Sequence, residues 1–140
     1  MERAENTIVQ SGEQFTFPVD TRVLREARVH LRRFFEPLGF QDTVVDDAIV
    51  AADEALTNAI QHGSCNVDSV SMRLSSFVDR VEVEISDNGR GEPGLVPDDC
   101  DPLSTSGRGL WLMENLVDEV HFQQKNQCGT IVTLVINKLH

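Results

Sequence analysis

The chain has 140 residues, which suits one domain with one hydrophobic core. Its formal net charge of −11 argues against nucleic-acid binding, which needs a basic surface to release counterions, and against anionic lipid, which the same charge repels. The three cysteines lack a CxxC pair and no apolar run approaches membrane-spanning length, so we expect a cytoplasmic protein with reduced thiols.

The first part of the chain predicts a loose segment, a strand and a helix. We expect residues 1–12 to be a flexible N-terminal segment and residues 13–140 to form the domain. The alternating run 13–19 predicts a strand, and Pro18 places its end at a sheet edge or boundary. Apolar residues at helical spacing then predict an amphipathic helix over 24–39.

Five of the twelve basic residues of the chain lie at the start of this helix and along it: Arg22, Arg25, Arg28, Arg32 and Arg33. Two interpretations of the cluster stay open. It can contact an acidic patch on another protein, or it can be a solvated helix face, and we assign most of the five to the solvated face.

The remaining apolar patterns predict a two-layer fold. In chain order they are a helix from 42 to 63, strands at 69–74 and 80–85, a helix at 109–117, and strands at 119–124 and 130–136. Between 86 and 108 the chain is rich in Gly, Pro, Asp and Ser, and so long a loop in a compact domain is usually functional. The order βααββ–loop–αββ predicts an α+β fold, a two-layer sandwich in which helices cover one face of a mixed or antiparallel sheet.

The second helix carries polar residues on one face. Glu54, Asn58 and His62 are spaced i, i+4 and i+8. Asn58 can give Mg²⁺ an oxygen ligand, and Glu54 can orient or deprotonate a nucleophile beside a metal-bound phosphate. The alternative is a solvated polar face. His62 can offset the dipole at the helix C-terminus or line a pocket for the phosphate ligand, and we favour the first role.

A second group follows the strand at 80–85. The carboxylate of Asp87 can accept a hydrogen bond from an adenine amino group, and Gly91 lets the backbone approach a flat ring. The alternative is a turn, which Asp-Asn-Gly strongly favours. The stretch 89–94 also matches GxGxxG, but Pro93 and the residues after it cannot open the helix that a dinucleotide site requires.

Two further groups flank the last helix. Gly107, Arg108 and Gly109 precede Leu110 at a helix start, where free backbone N–H groups make a phosphate site that is not a Walker P-loop. Near the final hairpin, the Thr130 hydroxyl can face a nucleotide base. The alternatives are a flexible loop and a simple turn.

Together, in this order, these groups resemble the four nucleotide-binding boxes of the Bergerat (GHKL) ATP-binding fold. The amino-acid sequences of residues 54–63 and 113–120 are similar to those of bacterial anti-sigma factor serine/threonine kinases. The resemblance runs from about residue 15 to residue 139. Histidine kinases, gyrase-type ATPases and MutL-like proteins of the same superfamily carry extra domains, so a chain of this size resembles the anti-sigma factor kinases more than it resembles them.

The resemblance implies a role for each matched residue. Glu54 would be the general base, Asn58 the Mg²⁺ ligand and Asp87 the acceptor for the adenine amino group, with Gly91 beneath the ring. Arg28 would contact a partner protein. The other residues expected at the nucleotide are Gly89, Gly107, Arg108, Gly109, Leu110 and Thr130.

The resemblance also implies cofactors and partners. The expected cofactors are ATP and Mg²⁺, and the expected partners are a sigma factor, which the protein sequesters, and a STAS-domain anti-anti-sigma protein, which it phosphorylates. A homodimer is possible in this family. Two alternatives are a non-catalytic, nucleotide-gated binding protein of the same fold and a stand-alone histidine-kinase-like ATPase domain. Two features depart from the family pattern: Glu92 stands beside the expected adenine pocket where many relatives carry an apolar residue, and the acidic residues Asp98, Asp99 and Asp101 lie near the expected phosphates.

Overall fold

A computed structural model of the chain describes residues 8–20, 22–62, 67–89, 107–124 and 129–138. Its elements, in chain order, are β1 (Ser11–Pro18), α1 (Val23–Phe35), α2 (Asp42–His62), β2 (Val67–Ser76), β3 (Arg80–Gly89), α3 (Gly107–Leu116), β4 (Glu119–Gln124) and β5 (Thr130–Asn137). This is the predicted order. The largest shifts are four residues each: β3 continues to Gly89 rather than ending at residue 85, and the first helix ends at Phe35 rather than at residue 39.

The described strands form one sheet in the order β1-β2-β3-β5-β4. Every neighbouring pair is antiparallel, so the antiparallel form of the predicted sheet is the one that occurs. β1 is an edge strand, as Pro18 predicted. β3 lies at the centre, between β2 and β5.

The sheet buries one face against the helices. Along β3, Val81, Val83 and Ile85 are buried, while Glu82 and Glu84 between them are partly exposed. This alternation is that of a half-buried strand. The buried strand residues share one hydrophobic core with residues of all three helices. The predicted two-layer α+β sandwich is therefore confirmed.

The first helix ends earlier than its apolar pattern predicted. α1 stops at Phe35, and a 3-10 turn covers Glu36–Leu38. Pro37 is the reason, because proline has no N–H to donate and its ring clashes with the preceding turn of an α-helix. Gly39 then adopts a φ of 78°, a left-handed conformation that glycine tolerates best, and the chain turns toward α2.

The helix α2 is central to the core. Five of its alanines are buried: Ala48, Ala51, Ala52, Ala55 and Ala59. Small side chains let a helix approach its neighbours closely, and α2 packs against α1, α3, β2, β3 and β5. Leu56 is the largest fully buried side chain among the described residues of α2.

The turn between β2 and β3 is fixed by a buried arginine. Arg80 lies 4.1 Å from the centroid of the Phe77 ring and forms ion pairs of 2.8 Å with Asp79 and 2.7 Å with Glu82. Burial alone would lower the pKa of Arg80, but its hydrogen bonds to Glu82 and Asp79 and their charges outweigh that effect, and the pKa is raised. The backbone N–H of Phe77 also donates to the carbonyl oxygen of Arg80 at 2.7 Å, so this hydrogen bond and the ring contact close the hairpin at the start of β3.

The first prediction concerns the core. Leu56→Ala should lower the free energy of unfolding by about 2–5 kcal/mol, because it removes a fully buried side chain and leaves a cavity between α2 and its neighbours. Val50→Ala, at a position of the same helix that is 45% exposed, should change it by about 0.5 kcal/mol or less. Urea denaturation followed by circular dichroism measures both. Equal losses in the two variants would contradict this packing.

Candidate functional site

The most deeply buried acid of the described chain is Asp87, near the end of β3. Its alternation with Val83 and Ile85 places it on the core-facing side of the strand, where it is 2% exposed. The neighbouring pair Ser86–Ile131 sets Asp87 beside Thr130 at the start of β5. Asp87 Oδ2 accepts hydrogen bonds from the backbone N–H of Thr130 at 3.2 Å and from its hydroxyl at 3.3 Å.

These hydrogen bonds explain how a carboxylate can occupy the end of an apolar stripe. A buried charge is costly unless it is paired or hydrogen-bonded. Thr130 donates from both its main chain and its side chain, and Gly129 before it has a φ of 91°, which favours glycine. The structure thus joins the second and fourth of the predicted groups, which are 43 residues apart.

The alternative of a turn at Asp87-Asn88-Gly89 is wrong. All three residues belong to β3, and Asp87 pairs with Val70 of β2 while Gly89 pairs with Val67. A local turn signal has been overridden by strand pairing on both sides. Gly91, expected beneath the adenine ring, lies outside the described residues, as do Glu92 and the acidic positions of the loop.

The polar face of α2 lies at the boundary between core and solvent. Glu54 and Asn58 are both half-buried, one turn apart, and the residues Ala55 and Ala59 that follow them are buried. These two residues therefore do not lie on a fully solvated face of α2. His62 is the last residue of α2.

The third predicted group opens α3. The helix begins at Gly107, two residues earlier than the pattern predicted, so that Gly107, Arg108, Gly109 and Leu110 form its first turn rather than a preceding loop. The backbone N–H groups of a first helical turn have no partner within the helix. Met113, which is fully buried, anchors α3 in the core, and α3 packs against α2.

The predicted site residues are thus carried by neighbouring elements. The helix with Glu54 and Asn58 packs both on β3, which ends near Asp87, and on α3, which begins with the glycines. Half-buried polar side chains, a buried carboxylate and a helix N-terminus are groups that can bind a cation, a base and phosphates.

Sequence reasoning missed the partner of Arg28. Arg28 is exposed on α1, and its guanidinium contacts Asp53 of α2 at 2.7 Å. A second arginine of the cluster, Arg32, pairs with Asp46 at 3.0 Å. The pattern of opposite charges on two amphipathic helices was visible in the sequence, but which residues meet depends on how the helices pack.

The apolar runs of the sequence predicted no membrane-spanning segment. Within the described ranges, no helix combines the length and the apolar character that crossing a bilayer requires.

Comparison with known proteins identifies the family. The family model for a histidine kinase-like ATPase domain matches residues 17–136. The serine-protein kinase RsbW of Bacillus licheniformis is 32% identical over 124 residues, which cover 79% of this chain and 77% of that protein. RsbW of Bacillus subtilis is 34% identical over 112 residues, covering 71% and 70%.

Solved structures support the fold. A crystal structure of the RsbU and RsbW domains of a Mycobacterium tuberculosis protein superimposes with a TM-score of 0.64 at 21% identity, covering 91% of this chain and 32% of that one. The family model and these relatives confirm the predicted family and the class of enzyme, a protein serine/threonine kinase. The chain belongs to the histidine kinase-like ATPase domain family, among the RsbW-type serine-protein kinases that form the predicted anti-sigma factor kinase family.

Proposed function

We propose that this protein binds ATP with Mg²⁺, transfers the γ-phosphoryl group to a serine or threonine of a STAS-domain anti-anti-sigma protein, and sequesters a sigma factor. The observation that carries the nucleotide part is the carboxylate of Asp87, buried in the core face of the sheet and held by Thr130. The family supports the kinase and its two partners.

The adenine end of the site is assigned to Asp87. A carboxylate accepts hydrogen bonds only, so it suits the exocyclic amino group of adenine and opposes the carbonyl that guanine has at the same position. Thr130 fixes the carboxylate through two hydrogen bonds, which leaves it little freedom to turn. Gly89 and Gly91 would let the base lie close to the backbone.

The phosphate end is assigned to α2 and α3. The side-chain oxygen of Asn58 is a hard ligand of the kind that Mg²⁺ prefers, and Mg²⁺ takes its other ligands from phosphates and water. The first turn of α3 offers backbone N–H groups and the positive end of the helix dipole to the phosphates, with Arg108 adding charge. Bound Mg²⁺ would neutralise charge on the phosphates.

The proton transfer is assigned to Glu54. In the proposed reaction the acceptor hydroxyl of the partner attacks the γ-phosphorus, the bond to the β–γ bridging oxygen breaks, and ADP leaves. Glu54 takes the hydroxyl proton. It lies one helical turn from Asn58, so the base and the proposed metal ligand are carried by one rigid element.

The second prediction tests this base. Glu54→Gln should reduce phosphoryl transfer by at least about a hundredfold, because the amide cannot accept the proton, while ATP still binds. Transfer of ³²P from ATP to the STAS protein measures the rate, and titration calorimetry measures nucleotide affinity. Glu114→Gln, an exposed change on α3, is the matched control and should keep the wild-type rate.

An unchanged rate in Glu54→Gln would refute the role of Glu54. Nucleotide-dependent binding of the STAS protein by the wild type, with no transfer of label, would favour a nucleotide-gated binding protein of the same fold instead of a kinase.

The third prediction tests the adenine contact. Asp87→Asn should weaken ATP binding by about tenfold or more, because an amide loses the charged hydrogen bond. Thr130→Val keeps its backbone N–H and removes only the hydroxyl, so its loss should be smaller, about threefold. Glu84→Gln on the opposite face of β3 is the control. Wild-type affinity in Asp87→Asn, measured by calorimetry on the folded variant, would remove Asp87 from the site.

A further inference from the structure

The ion pair between Arg28 and Asp53 joins the arginine-rich helix to the helix of the proposed base. Both Nε, at 2.9 Å, and Nη2, at 2.7 Å, of Arg28 contact a single oxygen, Oδ2 of Asp53. The Arg28 side chain is 51% exposed and that of Asp53 only 19%. Asp53 directly precedes Glu54. The pair therefore lies at the surface beside the proposed catalytic face.

The pairing leaves the carboxylate incompletely satisfied. Oδ1 of Asp53 is buried and has no hydrogen-bond partner among the described residues. Arginine binds a carboxylate best when its two parallel N–H groups meet two oxygens, and here they converge on one. A buried acceptor without a partner carries a desolvation cost. A carboxylate that presented both oxygens would satisfy the guanidinium better than Asp53 does.

The guanidinium of Arg28 stays positively charged whichever carboxylate it pairs with. The hydrogen bond that Arg28 donates to Asp53 and the charge of that carboxylate raise the pKa of Arg28 above its already high ordinary value. On a protein of net charge −11, a fixed positive charge that is half exposed, within a cluster of exposed arginines, attracts an acidic surface.

The acidic partner that this site fits is the phosphoacceptor protein. Its hydroxyl must reach Glu54 for transfer to occur. Successive residues of a helix point about 100° apart, so Asp53 and Glu54 lie on neighbouring faces of α2, and a protein interface of ordinary size that covers Glu54 extends to Asp53. This step rests on the proposed function, which assigns Glu54 as the base, and on the expectation from the family resemblance that Arg28 contacts a partner protein.

We propose that Asp53 is an internal competitor for Arg28, which a carboxylate of the docking STAS-domain protein must displace, so that Asp53 lowers the affinity of the kinase for its substrate protein. Asp53 occupies Arg28 in the free kinase. On docking, the guanidinium turns to the partner and the Asp53 carboxylate is released beside it. Docking thus exchanges one ion pair for another, which keeps binding weak enough for the phosphorylated product to leave.

The second ion pair of the two helices provides a control. Arg32 and Asp46 also join α1 to α2, at 3.0 Å, with side chains that are 60% and 56% exposed. Asp46→Asn removes the same charge from the same helix two turns away, without releasing Arg28. A general effect of net charge on docking would therefore show in both variants.

The test measures the KM for the STAS protein that the transfer assay identifies as substrate, together with its dissociation constant by calorimetry. Asp53→Asn should lower both by about threefold to tenfold, a range between that of an exposed ion pair and that of a charged hydrogen bond, with kcat and ATP affinity unchanged. Asp53→Ser, a second variant that also removes the carboxylate, should behave alike. Asp46→Asn should match the wild type.

The double variant separates competition from simple repulsion. Arg28→Ala should raise the KM for the STAS protein. Adding Asp53→Asn to Arg28→Ala should not lower this KM again, because no guanidinium is left for Asp53 to release. A persistent gain in the double variant, a gain of the same size in Asp46→Asn, or unchanged KM in folded Asp53→Asn would overturn the proposal. Failure of the wild type to bind or phosphorylate the STAS protein would instead refute the proposed function.

Discussion

The hydrogen bonds between Thr130 and Asp87 are the interaction on which the proposed site depends. Strand alternation carries the apolar stripe of β3 toward its end and then places a carboxylate where the next hydrophobic residue would be. Such a burial is costly without donors, and Thr130 supplies two. Because side chains alternate with a period of two, a slip of one residue would turn Asp87 to the opposite face of the sheet. The antiparallel pairing of β3 with β2 and β5 opposes that slip.

The helix α2 serves three purposes with three faces. Its alanine face lets it pack closely on the sheet and on α1, its half-buried edge carries Glu54 and Asn58, and its acidic residues meet the arginines of α1. A helix held by close packing on several sides has little freedom to shift, which suits an element that has to hold a base and a metal ligand in fixed relation.

The arginines of α1 show how burial decides what an ion pair is worth. Arg32 and Asp46 are both more than half exposed, and pairs of this kind contribute about 0–1 kcal/mol to stability. Arg28 and Asp53 differ, because the carboxylate is largely buried and one of its oxygens has no partner among the described residues. The assignment of most of the cluster to a solvated face was therefore incomplete, since all five arginines are exposed but three of them pair with acids of the same chain.

The order of elements, the two-layer class and the family could all be predicted from the amino-acid sequence. These follow from local periodicity and from motifs whose spacing is set within one element, as for Glu54 and Asn58 on α2. Local pattern was less reliable where neighbouring strands decide: Asp87-Asn88-Gly89 has the composition of a turn but lies in β3, because β2 continues beside it to Val67.

Contacts between residues that are distant in the sequence could not be predicted and emerge from the folded chain. The contact of Asp87 with Thr130 depends on β5 pairing with β3, and that of Arg28 with Asp53 depends on the packing of α1 against α2. Neither is set by periodicity, because a helical or strand pattern states which face is buried and not which partner covers it. The register of two packed elements is fixed by the whole core, and side-chain pairs across them appear only when that core is assembled.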